Sequence, residues 1–178
     1  RLWRLAAGND APSPGADVLR PRLYPGAEER AAVDALLGGF AGNGPLVGLA
    51  PGSIWGTKRW PHFADLATGL DDARFVVIGS AGDGTLAARV AEAAPGRVLD
   101  ATGRLSLLAS AELVARCAAL VANDSAPTHL ASGVGTPTIT LFGPTVPAFG
   151  FGPLAPRSES IGVEQLSLTG AVFTLIVN

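Results

Sequence analysis

From Leu46 onward, short apolar runs alternate with longer stretches of helical period. Leu46–Ala50, Arg74–Gly79, Arg97–Leu99, Ala119–Ala122 and Thr136–Phe142 read as strands, and His62–Leu70, Asp83–Ala93, Ser110–Cys117 and Pro127–Ser132 read as the helices between them. Near-continuous apolar strands are buried on both faces, so this alternation predicts a parallel sheet covered by helices on either side. Because βαβ crossovers are right-handed in nearly every case, the fold class follows: α/β, a doubly wound parallel sheet forming a single Rossmann-like domain over residues 46–166.

The flanks read differently. Gly8, Pro12, Pro14, Gly15, Pro21, Pro25 and Gly26 interrupt any continuous helix or central strand, which marks a linker. Glu28–Leu37 then sets Ala31, Val33, Ala35, Leu36 and Leu37 behind two acidic first-turn residues, a helix that stops before Gly38-Gly39. Residues 1–45 are thus a linker and a leading helix. Residues 167–178 form a tail, apolar and β-branched near its end, that suits an edge strand or a piece of a missing neighbour.

Composition narrows the function classes. A net charge of −2 gives no general attraction to nucleic acid or to an anionic membrane, so anion binding has to be local. Apolar runs stop far short of the ~20 residues that span a bilayer. The single cysteine, Cys117, sits in an apolar stretch and reads as a buried, inert thiol, leaving neither a disulfide framework nor a Cys-based metal site. A start at Arg1 and the absence of methionine suggest part of a longer chain.

The chemistry concentrates in the loops that follow strands. The only lysine, Lys58, stands beside Arg59 in Pro51-Gly52-Ser53-Ile54-Trp55-Gly56-Thr57-Lys58-Arg59-Trp60-Pro61. Gly52 and Gly56 allow backbone N–H groups to approach an anion, Thr57 can donate from its hydroxyl, and Lys58 supplies a compact charge; together they suit a diphosphate, with Trp60 before Pro61 as a packing residue, the plainer alternative being a solvated Lys58–Arg59 pair with both Trp55 and Trp60 packed. A second anion cradle follows the strand Ala119–Ala122, where Ser125 and Ala126 precede a helix that opens with Pro127. His129 lies one turn beyond Ser125, either as a structural histidine or within reach of a phosphate or of Lys58. Asp124, Ser125 and His129 do not make a hydrolase, because Gly-x-Ser-x-Gly is missing.

Two further segments stand at the same sheet edge. Val76-Val77-Ile78-Gly79-Ser80-Ala81-Gly82-Asp83-Gly84 lacks the Gly-x-Gly-x-x-Gly spacing, so it does not predict a nicotinamide cofactor; Asp83 caps its helix or bonds ribose hydroxyls. Leu141–Leu154, rich in Gly and Pro, reads as a long functional loop that lines a sugar or as a rigid surface turn.

Taken in order, Ala50–Pro61, Gly103-Arg104-Leu105-Ser106-Leu107, Asn123–Ser132 and Phe142-Gly143-Pro144-Thr145-Val146-Pro147 resemble the C-terminal half of glycosyltransferase family 9, the lipopolysaccharide heptosyltransferases. The resemblance implies a GT-B enzyme of two facing Rossmann-like domains, inverting and metal-independent, with an ADP-heptose donor as substrate and no cofactor. This chain would be the donor-binding part. By motif position, Ser53, Thr57, Lys58, Ser125, Ala126 and His129 would serve the diphosphate, Asp124 the sugar hydroxyls, and Asp83 and Leu105 the nucleoside. Ala126 stands where many members carry glycine. The acceptor would be the lipopolysaccharide inner core. The general base would lie in the N-terminal domain, and so would any peripheral membrane contact, at the inner face of the inner membrane or in the cytoplasm. An alternative is a standalone module that binds a nucleoside diphosphate without transferring a sugar.

Overall fold

Strand β1 (Leu46–Ala50) forms the middle of the sheet, paired with β2 (Arg74–Val77) on one side and β4 (Ala119–Asn123) on the other. The computed structural model describes residues 8, 12, 14–40, 42–145 and 152–162. Within them, β3 (Val98–Asp100) and β5 (Thr138–Phe142) extend the sheet, and β6 (Ser158–Gly162) closes it in the order β3-β2-β1-β4-β5-β6. Every neighbouring pair is parallel. The doubly wound Rossmann-like sheet expected from the alternation is the fold observed.

Period-two alternation sorts the strand residues onto two faces. Val47, Leu49, Phe75 and Val77 pack with Phe63, Leu66 and Ala67 of α3 (Phe63–Gly69) and with Ala87 and Val90 of α4 (Gly84–Ala93). Ala50, Val76, Leu120 and Ala122 face the other way. They meet Val33 and Leu36 of α2 (Ala27–Leu37), Leu113 and Val114 of α5 (Leu107–Ala115), and Ala131 of α6 (Ala126–Val134). At ~25 cal/mol per Å² of apolar surface, these two clusters supply the main drive for folding. Arg97 donates to the carbonyls of Ala67, Leu70 and Ala73, satisfying the C-terminal end of α3 where a cation is favoured.

Several boundaries differ from the sequence expectation, each for a local reason. The stretch expected to be a linker contains a short helix, α1 (Ala16–Leu19), and lies on the domain: Leu23 N–H donates to the Gly133 carbonyl at 3.0 Å. Helix α5 begins at Leu107 rather than Ser110, because the Ser106 hydroxyl accepts from Ala109 N–H and caps it. Strand β6, Ser-Glu-Ser-Ile-Gly, buries only Ile161, so its polar sequence carries no apolar run to betray an edge strand. The tail of residues 167–178 lies outside the described residues.

Candidate functional site

In the observed strand order, the chain leaves β1 toward β2 on one side and returns to β4 on the other. The loops after β1 and β4 therefore diverge, and a crevice opens between them at the carboxyl ends of the strands. A cavity of about 550 Å³ occupies this place. Ser53 and Lys58 from the β1 loop line it, as do Asp124, Ser125 and Ala126 after β4. Asp83, ahead of α4, and Leu105, ahead of α5, complete the wall toward the β2 side.

Lys58 ends a 3₁₀ turn (Gly56–Lys58), in which Lys58 N–H donates to Trp55 O and Arg59 N–H to Gly56 O. Arg59 Nε also donates to Ser53 O at 2.9 Å, closing the loop on itself. The turn carries the Lys58 ammonium to 2.6 Å from Asp124 Oδ2. The pair is largely withdrawn from water, with the lysine side chain 20% and the aspartate 8% exposed. Thr145 donates its hydroxyl to the same oxygen at 2.7 Å. An ammonium has three protons, so this ion pair occupies one of them and leaves two donors on a side chain that lines the cavity.

Helix α6 meets the cavity at its N-terminal end. Ser125 is the N-cap residue, with extended backbone, but its hydroxyl turns back to Asn123 O at 3.2 Å and makes no capping bond. Pro127 has no N–H, and Thr128 N–H bonds Ser125 O at 3.1 Å. The Ser125 and Ala126 N–H groups make no backbone hydrogen bond among the described residues, which leaves two donors and the positive end of the helix beside the Lys58–Asp124 pair.

Asp83 is nearly buried. Its Oδ2 accepts from Ser80 N–H and from the Ser80 hydroxyl, both at 2.8 Å, closing the 3₁₀ turn Ala81–Asp83; as the N-cap residue of α4 its side chain makes no capping bond, contrary to one of the two roles expected of it. The carboxylate also lies against the Gly52 backbone, where an added Cβ would fall 2.5 Å from Asp83 Cγ. Glycine at 52 is therefore a requirement of close approach between the first two βα loops.

Not every anticipated residue joins the cavity. Thr57 is exposed and lines a neighbouring hollow of about 270 Å³ with Trp60, His62 and Phe142, a hollow that Lys58 also borders. His129 is exposed and lines neither space, and its side chain makes no hydrogen bond among the described residues. Trp60 packs edge-on against His62 and Phe63, as expected, whereas Trp55 is 67% exposed at the cavity rim. Thr145 was missed as a partner of Asp124. No local signal marks it, because the contact joins the exit of β5 to the end of β4.

Two groups at the end of α5 have displaced titrations. Burial pushes the Cys117 thiol up to about 12, and a hydrogen bond to Glu112 raises Arg116. Among the described residues, no group of three or more His, Cys, Asp or Glu is placed to hold a metal ion. Nor is any helix there long and apolar enough to cross a membrane.

Comparison with known proteins places this arrangement. A model of glycosyltransferase family 9 (heptosyltransferase) matches residues 17–169. The chain is 36% identical over 117 residues to lipooligosaccharide heptosyltransferase 2 of Haemophilus influenzae, a match covering 61% of this chain and 34% of that protein. It is 30% identical over 154 residues to lipopolysaccharide heptosyltransferase 2 of Salmonella typhimurium, covering 82% of this chain and 43% of that one. The solved structure of E. coli ADP-heptose lps heptosyltransferase II matches with a TM-score of 0.78 at 25% identity, over 96% of this chain and 56% of that one. The chain thus spans well under two thirds of the length of these relatives. It belongs to glycosyltransferase family 9.

Proposed function

We propose that this member of glycosyltransferase family 9 is the donor-binding part of an inverting heptosyltransferase, which moves heptose from ADP-heptose to the inner core of lipopolysaccharide. The observation that carries the reading is the meeting of Lys58, Asp124 and the unbonded Ser125 and Ala126 amides in one cavity at the switch point of the sheet. Likeness to the E. coli ADP-heptose lps heptosyltransferase II supports the choice of donor.

The chemistry fits the residues. As the bond from the anomeric carbon to the diphosphate oxygen breaks, negative charge grows on the departing ADP. A fixed ammonium and two helix-end N–H groups are stronger partners for that charge than for the intact donor, and that difference lowers the barrier. Asp124, beside Lys58, is positioned for sugar hydroxyls, Asp83 on the cavity wall would serve the ribose, and Leu105 offers an apolar surface to the base. The attacking hydroxyl of the acceptor and the group that takes its proton belong to the proposed facing domain, where contact with the inner face of the membrane would also lie.

Calorimetry with ADP tests the reading. The chain should bind ADP, and Lys58→Ala should weaken binding by about 1–3 kcal/mol, the range of a charge-assisted contact. Absence of binding to ADP and to every other nucleoside diphosphate would overturn it.

A further inference from the structure

Asn123 ends β4 immediately before Asp124, yet its side chain does not line the cavity. It is fully buried and reaches across to the neighbouring loop. Its Nδ2 donates to the Pro51 carbonyl at 2.8 Å, and its Oδ1 accepts from the Trp60 N–H at 3.0 Å. Pro51 directly follows β1, and Trp60 comes two residues after Lys58. One primary amide therefore ties together both ends of the loop that carries the lysine. Only one orientation of the amide satisfies both partners, because a flip would set oxygen against carbonyl and NH₂ against N–H.

The loop has few other ties. Among the described residues, its remaining hydrogen bonds are internal, apart from the one between Lys58 and Asp124. Those internal bonds shape the loop without fixing it to the sheet. We infer that Asn123 is a positioning residue of the anion site: it holds the Lys58 loop in register with Asp124 and the start of α6. The inference rests on the proposed diphosphate site for its binding consequence, but not for the clamp itself. A clamp of this kind makes the lysine part of the β4 end. Without it, the ammonium must be drawn into place by the ligand, and the ordering cost weakens binding.

Two measurements test it: backbone hydrogen exchange of the ligand-free chain and ADP titration by calorimetry. In Asn123→Ala, the Trp60 amide should exchange about tenfold faster while amides within β1 and β2 keep their protection. ADP affinity should fall about tenfold. The same substitution should cost less than about twofold when Lys58 is already alanine, since Asn123 acts through the lysine. Asn123→Asp keeps an oxygen for Trp60 but loses the donor for Pro51; it should protect the Trp60 amide and bind ADP with intermediate strength. Unchanged Trp60 exchange in Asn123→Ala would overturn the clamp, and so would an ADP loss of equal size with and without Lys58, the sign of general structural damage. If Asn123→Ala does not fold, Asn123→Asp with and without Lys58 makes the same comparison, with additivity again overturning the inference. Should the wild-type chain bind no ADP, the cavity reading falls by itself, and Trp60 exchange alone decides the clamp.

Discussion

The turn after β4 is short and buried, whereas the loop after β1 is long and exposed. In the turn, Asn123 is fully buried and Asp124 8% exposed, and the Ser125 and Thr128 hydroxyls both bond the Asn123 carbonyl. In the loop, Ile54 is 94% and Trp55 67% exposed. The turn is held by the core on which it sits, so its donors stand where the sheet puts them. The loop borrows its position from the turn, through Asn123 and Asp124. Substitutions in the turn should therefore cost stability and binding together, and those on the outside of the loop should cost little stability.

The largest effect should come from Asp124→Ala, which leaves the Lys58 ammonium and Thr145 hydroxyl without their shared partner. Urea unfolding should show a loss of about 2–3 kcal/mol, at the lower end for a broken buried pair because Lys58 keeps some contact with water. Equal stability of this variant and the wild type would erase the contrast between the two regions.

Cys117, remote from both, calibrates whole-fold opening. Burial raises its thiol from 9.0 to about 12, so the fold favours the neutral form. The stability from this source is complete below about pH 9 and is lost as pH rises toward 12, at no more than about 1.4 kcal/mol per pH unit. Cys117→Ala should flatten that part of the unfolding profile between pH 9 and 10.5. Thiol labelling at pH 8 should be slow in the native protein and fast in urea.

Gly52→Ala tests where the loop is tied. The new methyl would meet the Asp83 carboxylate at 2.5 Å, and relief requires moving either the loop or the Ser80–Asp83 cap. A loss of about 1 kcal/mol is expected. Arg59→Ala should do least. It removes one exposed bond to Ser53 O inside the loop, and the unfolding midpoint should stay within about 0.5 kcal/mol of wild type. A larger loss would mean that the loop holds itself.

The strands and helices were legible because each rests on a local signal. Apolar runs ended at Gly, Pro or charge, and Pro127 marked the first turn of α6. Lys58, Asp124 and Ser125 were visible for the same reason: they follow strands, and in a doubly wound sheet all strand ends share one edge. Thr57 and His129 illustrate the limit. Both have suitable chemistry within one or four residues of a cavity residue, but the 3₁₀ turn sends Thr57 toward the neighbouring hollow, and His129 emerges on the exposed side of α6. Spacing alone did not settle which face of a one-turn element would look inward. Thr145 was hidden for another reason, since its contact to Asp124 crosses from β5 to β4 and leaves no local trace.

Sequence by itself determined the class of sheet, the positions of its turns and the residue types available at its carboxyl edge, because hydrophobic period and turn chemistry act over a few neighbouring residues. Tertiary structure alone decided that Lys58 would pair with Asp124, that one buried amide would fasten both ends of the lysine loop, and that Ser-Glu-Ser-Ile-Gly would become the edge strand. These contacts join segments far apart in the chain, and they exist only once the strand order has brought β1 beside β4 and β4 beside β5.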